Sequence, residues 1–152
     1  LGKYEELLKL MHEMTLEDCI DAGSLCLALG AAIQCKSLME VMAWADYSIE
    51  TREVDAGFLY TYGTFLLEQG QLDKASEILK KSLYLDSNHV LSYVSLGHLA
   101  KEQNDFERAA KCYGNAIKCI DNGIDIDFAG DLEGMTRDDL RRIIMRFAEL
   151  VV

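Results

Sequence analysis

The chain has 152 residues and not one proline, and its 15 basic residues are outnumbered by 26 acidic ones. Without proline there is no polyproline segment and no prolyl turn, so every reversal of direction must be made by glycine, asparagine, aspartate or serine. Long apolar runs are missing as well. Charged residues interrupt each hydrophobic stretch well before the about 18 residues that a membrane helix needs, and no basic-then-apolar leader pattern opens the chain. These absences predict a cytoplasmic protein with no membrane segment. The five cysteines, Cys19, Cys26, Cys35, Cys112 and Cys119, are odd in number and contain no C-x-x-C. Reduced thiols packed in a core are expected rather than a disulfide framework or a metal knuckle.

A basic stripe is also lacking. Residues 1–55 carry a net charge of −7, residues 56–120 are neutral and residues 121–152 carry −4, which together give the overall −11. Such a surface has few cations to displace counterions from a phosphate backbone, so nucleic acid is excluded as the expected partner. A basic protein partner suits the acidic flanks, and a simple solvated surface suits them equally.

What is present is helix after helix, with 50% hydrophobic residues available for a core. Tyr4, Leu7, Leu8 and Met11 recur at i, i+3, i+4 and i+7 and predict a first amphipathic helix. A second runs through SLCLALGAAI and a third through LMEVMAWADYSIE. Two further pairs follow, Ala56 to Gln69 with Asp73 to Leu85, and His89 to Gln103 with Phe106 to Ile120. The last helix, Arg137 to Val151, is preceded by Thr136 and carries Asp139 three residues on, a variant capping box. About eight helices and no strand are expected.

The two central pairs are copies of each other. At an offset of 34 residues Gly63 meets Gly97, Ala75 meets Ala109, Leu66 meets Ala100 and Leu72 meets Phe106. The charged pairs Glu68-Gln69 and Asp73-Lys74 meet Glu102-Gln103 and Glu107-Arg108 in the same register. Residues 62–88, YGTFLLEQGQLDKASEILKKSLYLDSN, are therefore two helices folded back at Gly70 rather than one long helix. Small residues at Gly63, Gly97, Ala75 and Ala109 suit a close crossing within each pair. A weaker copy precedes them, with Gly30, Leu38, Val41, Ala45 and Ser48.

This pattern resembles the tetratricopeptide repeat: Leu59, Tyr62, Gly63 and Leu66 with Ala75, Leu79 and Ser82, then Tyr93, Leu96, Gly97 and Ala100 with Ala109, Tyr113 and Ala116. The family's proline near the repeat end is replaced by Ser87 and Asp121. The resemblance implies an all-α solenoid of antiparallel helix pairs with extra helices at both ends. In one domain, 1–21 would be an N-terminal helix region, 22–55 a degenerate repeat, 56–89 and 90–121 clear repeats, 122–135 an acidic loop, and 136–152 a capping helix. It also implies a concave groove lined by the first helix of each pair, here by Leu27, Ala31, Tyr60, Thr64, Leu67, Leu91, Val94, His98 and Lys101. The carboxylate clamp of chaperone-binding members is absent, because Tyr60, Thr64, Val94 and His98 stand where its lysine, asparagine and arginine would be. An apolar peptide or helix is the expected ligand.

Chemistry-bearing residues do not assemble into a site. His12, His89 and His98 are far apart and have no ligand-spaced neighbour, so no metal and no cofactor are expected. The acidic stretch DNGIDIDFAGDLEG fails as a calcium loop. With Asp125 at position one, Ala129 and Thr136 fall where the motif requires oxygen-rich ligands, including its bidentate glutamate. No catalytic residues and no enzyme activity are expected. The last helix concentrates Arg137, Arg141, Arg142 and Arg146 opposite an apolar face of Leu140, Ile143, Ile144, Phe147, Ala148 and Val151. Capping of the array is the first expectation for it and a homodimer contact with the acidic flank the second. The functional expectation is a protein-interaction adaptor. The alternatives are a small secretion-type chaperone holding an apolar segment of an exported protein, and a scaffold or regulatory domain of a larger protein or enzyme complex.

Overall fold

The computed structural model describes residues 22–35, 37–126 and 134–152. Seven helices and no strand occur among them: α1 Ala22–Cys35, α2 Leu38–Thr51, α3 Ala56–Glu68, α4 Leu72–Leu85, α5 Val90–Glu102, α6 Phe106–Asp121 and α7 Arg137–Glu149. The amphipathic stripe from Tyr4 to Met11, His12, Cys19 and the acidic loop over 127–133 lie outside the described residues.

The turns within and after the repeats are built alike. Gly70 takes φ 73°, Asn104 φ 60° and Gly123 φ 76°, each just past a helix end. In every case the left-handed residue and the one after it return N–H bonds to the last turn: Gly70 to Leu67 O and Gln71 to Leu66 O, Asn104 to Lys101 O and Asp105 to Ala100 O, Gly123 to Ile120 O and Ile124 to Cys119 O. This is the Schellman closure, and asparagine replaces glycine in it because asparagine tolerates the left-handed region best among the other residues. The following helix is then capped at once. Asp105 accepts from Arg108 N at 3.1 Å, and Asp55 does the same for Phe58 N at 2.7 Å before α3.

The crossings within the pairs depend on absent side chains. A Cβ on Gly63 would lie 2.7 Å from Leu79 Cγ, and one on Gly97 2.5 Å from Tyr113 Cε1. Ala75, Ala109 and Ala116 are fully buried. The first helices α1, α3 and α5 pack side by side, whereas α4 and α6 stand apart across a cleft of about 610 Å³. Closer packing in the first-helix row than in the second-helix row bends the array toward α1, α3 and α5.

The pair α1–α2 is looser. Val41, Ala45 and Ser48 are buried and Leu38 half-buried, but α1 lies more closely on α3 than on α2, and a Cβ on Gly30 would meet nothing within 4 Å. Gly30 thus matches the other glycines in register but makes no close approach.

Two apolar cores result. One joins Leu25, Leu29, Trp44, Phe58, Tyr62 and Phe65, and the other joins Ala109, Tyr113, Ile120, Leu140 and Ile144. Polar bonds tie neighbouring pairs together. The fully buried Tyr62 donates its hydroxyl to Asp46 Oδ1 at 3.0 Å, and Lys74 pairs with the other oxygen of Asp46, so one carboxylate links α2, α3 and α4. Burial is the main cause, and the Asp46 charge the next, that holds the Tyr62 phenol far above its ordinary pKa. Ser82 Oγ donates to Ala56 O at 2.9 Å and lies 2.9 Å from Ser92 Oγ, joining α3, α4 and α5.

The buried alanines give a direct test of register. Ala75→Trp and Ala109→Trp should each lower stability by about 1 to 3 kcal/mol or more, because overpacking forces the crossing apart. Thermal melts of both variants read this out, and unchanged midpoints in both would mean the alanines do not sit in the crossings.

Candidate functional site

The residues expected to line a groove occupy equivalent positions on α1, α3 and α5. The repeat period sets Tyr60 beside Val94, Thr64 beside His98 and Leu67 beside Lys101, on helices that touch. Their exposure is graded. Leu27 is 79% exposed and Ala31 is exposed, while Tyr60, Thr64, Leu67, Leu91, Val94, His98 and Lys101 are half-buried. Leu67 packs on the first core and Leu91 and Val94 on the second, so part of each apolar surface already faces inward. Thr64 Oγ1 lies 3.1 Å from Tyr60 O and 3.0 Å from Thr61 O, which turns its hydroxyl to the helix backbone.

Two histidines interact with this face, and the sequence pattern identifies neither set of partners. His89, the residue before α5, stacks its ring 5.3 Å from that of Tyr60, and its Nδ1 accepts from Ser92 N at 3.3 Å. His98 sits between Tyr113 of α6 and Phe147 of α7, with ring separations of 5.6 and 4.6 Å. Its Nδ1 lies 2.9 Å from the Tyr113 hydroxyl. Burial pushes that phenol up to about 12, so it is protonated and donates while the imidazole accepts. His98 is therefore an internal connector between α5, α6 and α7 and not a free groove side chain. The partner Tyr113 stands at an aromatic position of the repeat pattern, but no spacing in the sequence relates Phe147 to His98.

The thiols are ordinary. Burial raises the pKa of the half-buried Cys112 and of the buried Cys119, which disfavours thiolate. Cys26 lies 3.7 Å from Thr61 Oγ1.

Comparison with protein families finds the tetratricopeptide repeat at residues 56–89 and again at 90–127. The chain belongs to the tetratricopeptide repeat family, an all-α repeat fold that generally mediates protein–protein interaction and is typically non-catalytic. A comparison with curated protein sequences gives no match. No helix among the described residues is long and apolar enough to cross a membrane.

The two half-buried histidines set a pH dependence. Burial holds both His89 and His98 below the ordinary imidazole value near 6.5, partly offset for His89 by Asp86 and Asp55 and for His98 by Glu102. The unfolded chain therefore binds these protons first. Their contribution to stability is fully present above about pH 6.5 and is lost as pH falls through the folded-state values. Urea unfolding at about pH 7, 6 and 5 should show a falling midpoint that flattens in His89→Asn/His98→Gln, in which asparagine keeps an N-cap acceptor. An equal slope in the double variant would assign the effect to other groups.

Proposed function

We propose that this domain is a protein-interaction adaptor that holds a peptide or helix of a partner protein on the face made by α1, α3 and α5. The observation that carries the reading is the composition of that face. Of the nine groove positions only Lys101 is charged at neutral pH, and Leu27 stands 79% exposed next to a row of half-buried apolar side chains. A face of this kind takes apolar anchors, and its curvature follows from the closer packing of the first helices. No clamp for a terminal carboxylate exists at Tyr60, Thr64, Val94 and His98. The acidic balance of residues 1–55 favours a partner that is basic around its anchors.

The test is capture by the immobilised domain from its native cell, with the bound proteins identified by mass spectrometry and then bound singly as purified proteins. Leu27→Glu, Leu67→Glu and Val94→Glu should each abolish binding of the identified partner. Burial of one such anchor is worth roughly 1.5 to 3 kcal/mol, and a charge left unpaired in its place adds to the loss. Leu27→Glu is the control for folding because that side chain is exposed. Retained binding by all three variants, with far-UV helicity intact, would place the partner elsewhere.

A further inference from the structure

The described array ends on half a pair. α7 follows α6 as α5 follows α4, in the place of a first helix, and among the described residues no second helix packs on it. The internal period identifies which wall of α6 such a helix would meet. On α4, Ser76, Lys80 and Tyr84 border the cleft toward α6, and Arg108 of α6 reaches across to Ser76 Oγ at 3.3 Å. One repeat later these positions are Ala110, Gly114 and Lys118. A Cβ on Gly114 would meet nothing within 4 Å. That wall is open.

The facing wall is apolar. Ile117 of α6 with Met145, Ala148, Glu149 and Val152 lines a cleft of about 420 Å³. Phe147, by contrast, turns to His98 of α5, so this cleft lies on the flank of α7 away from the α1, α3 and α5 face. It is a second surface, independent of the groove proposed above.

Shape and charge together select the occupant. Both walls are helices, and Met145, Ala148 and Val152 recur at i, i+3 and i+7, so the complementary object is a helix with an apolar stripe of the same period. Arg141 and Arg142 are already paired, with Asp121 and Asp139. Lys111, Lys118 and Arg146 are exposed and form no ion pair among the described residues. Glu149 is the sole acid in the lining. In a chain of net charge −11, this end presents unpaired cations around an apolar slot. We propose that the groove between α6 and α7 docks an acidic amphipathic helix of a partner protein, which completes the unfinished pair.

The probe is a fluorescein-labelled synthetic peptide of about 18 residues, long enough to sustain a helix, with leucines on one stripe and glutamates on both flanks. A lysine-flanked peptide with the same stripe and a scrambled acidic peptide of identical composition are its comparators. Anisotropy titrations should show binding of the striped acidic peptide only, weakening as salt is raised. Met145→Glu should weaken it about tenfold or more. Gly114→Trp should do the same by blocking the slot from the α6 side, at a position where the added side chain meets open space in the folded domain. Lys111→Glu/Lys118→Glu should shift preference toward the lysine-flanked peptide. Equal binding of the scrambled or lysine-flanked peptide to the unaltered domain would overturn the proposal, as would unchanged affinity in both blocking variants. Self-association of the unaltered protein in sedimentation, abolished by Met145→Glu, would also overturn it by assigning the slot to a second copy.

Discussion

Two helix crossings with no side chain between the backbones, Gly63 on Leu79 and Gly97 on Tyr113, are the constraint on which the array depends. An antiparallel helix pair can close only as far as its bulkiest interface residue permits. With glycine on one helix and fully buried Ala75 or Ala109 on the other, each central pair closes tightly enough that its large residues are driven to the flanks, onto the neighbouring pair. Tyr113 shows the consequence. Its ring covers Gly97 while its hydroxyl, at the far end, reaches His98, whose own ring meets Phe147 of α7. The tight crossing in one pair thus positions the side chains that fasten the next element.

The bonds between pairs are more polar than the bonds within them, and this matters for a repeat protein. Stability in such arrays is a sum of unit and nearest-neighbour terms, so a weak junction would let one pair open independently. Asp46 bridges Tyr62 and Lys74, and Ser82 bridges Ala56 and Ser92, at the two junctions on either side of the pair α3–α4. Buried hydrogen bonds are directional, and breaking one leaves a polar group dry, which costs more than the bond itself contributes. These junctions therefore fix the angle between pairs where the proline usual in the family is missing.

The central repeats are legible in the sequence because their period is carried by three residue classes at once: small residues at the crossings, leucines in the cores and charges outside. The turn at Asn104 is legible for a physical reason too, since glycine and asparagine share access to the left-handed region and stand at matching places in EQGQL and EQNDF. The pair α1–α2 is harder to read. Its spacing of apolar residues fits a repeat, but Gly30 faces open space, and a glycine letter by itself does not distinguish a packed approach from a vacant one. The groove is half legible for a similar reason. Repeat register assigns Tyr60, Thr64, Leu67, Leu91 and Val94 to one face of adjoining helices, whereas the degree to which Leu67, Leu91 and Val94 turn inward depends on packing from other helices. Contacts such as His98 with Phe147 join residues far apart in sequence that obey no common spacing, so no pattern encodes them.

Repetition also explains how one small chain can present two chemically different surfaces. The first helices face one another and leave their apolar and small positions along a curved inner face, where partial burial limits each anchor to a modest gain and specificity must come from several anchors acting together. The second helices leave wider gaps, and charged side chains border them: Lys80, Lys81 and Arg108 between α4 and α6, then Lys111 and Lys118 beyond α6. In the first gap those cations meet Asp73, Glu77 and Tyr84 of the chain itself, and Lys81 pairs with Glu77 at 2.9 Å. In the second gap the equivalent wall has lost Glu77 to Lys111 and Tyr84 to Lys118. The same helical scaffold that satisfies its charges internally between two complete pairs leaves them unsatisfied beside α7, and the sign of that imbalance follows from these two replacements within a repeated sequence.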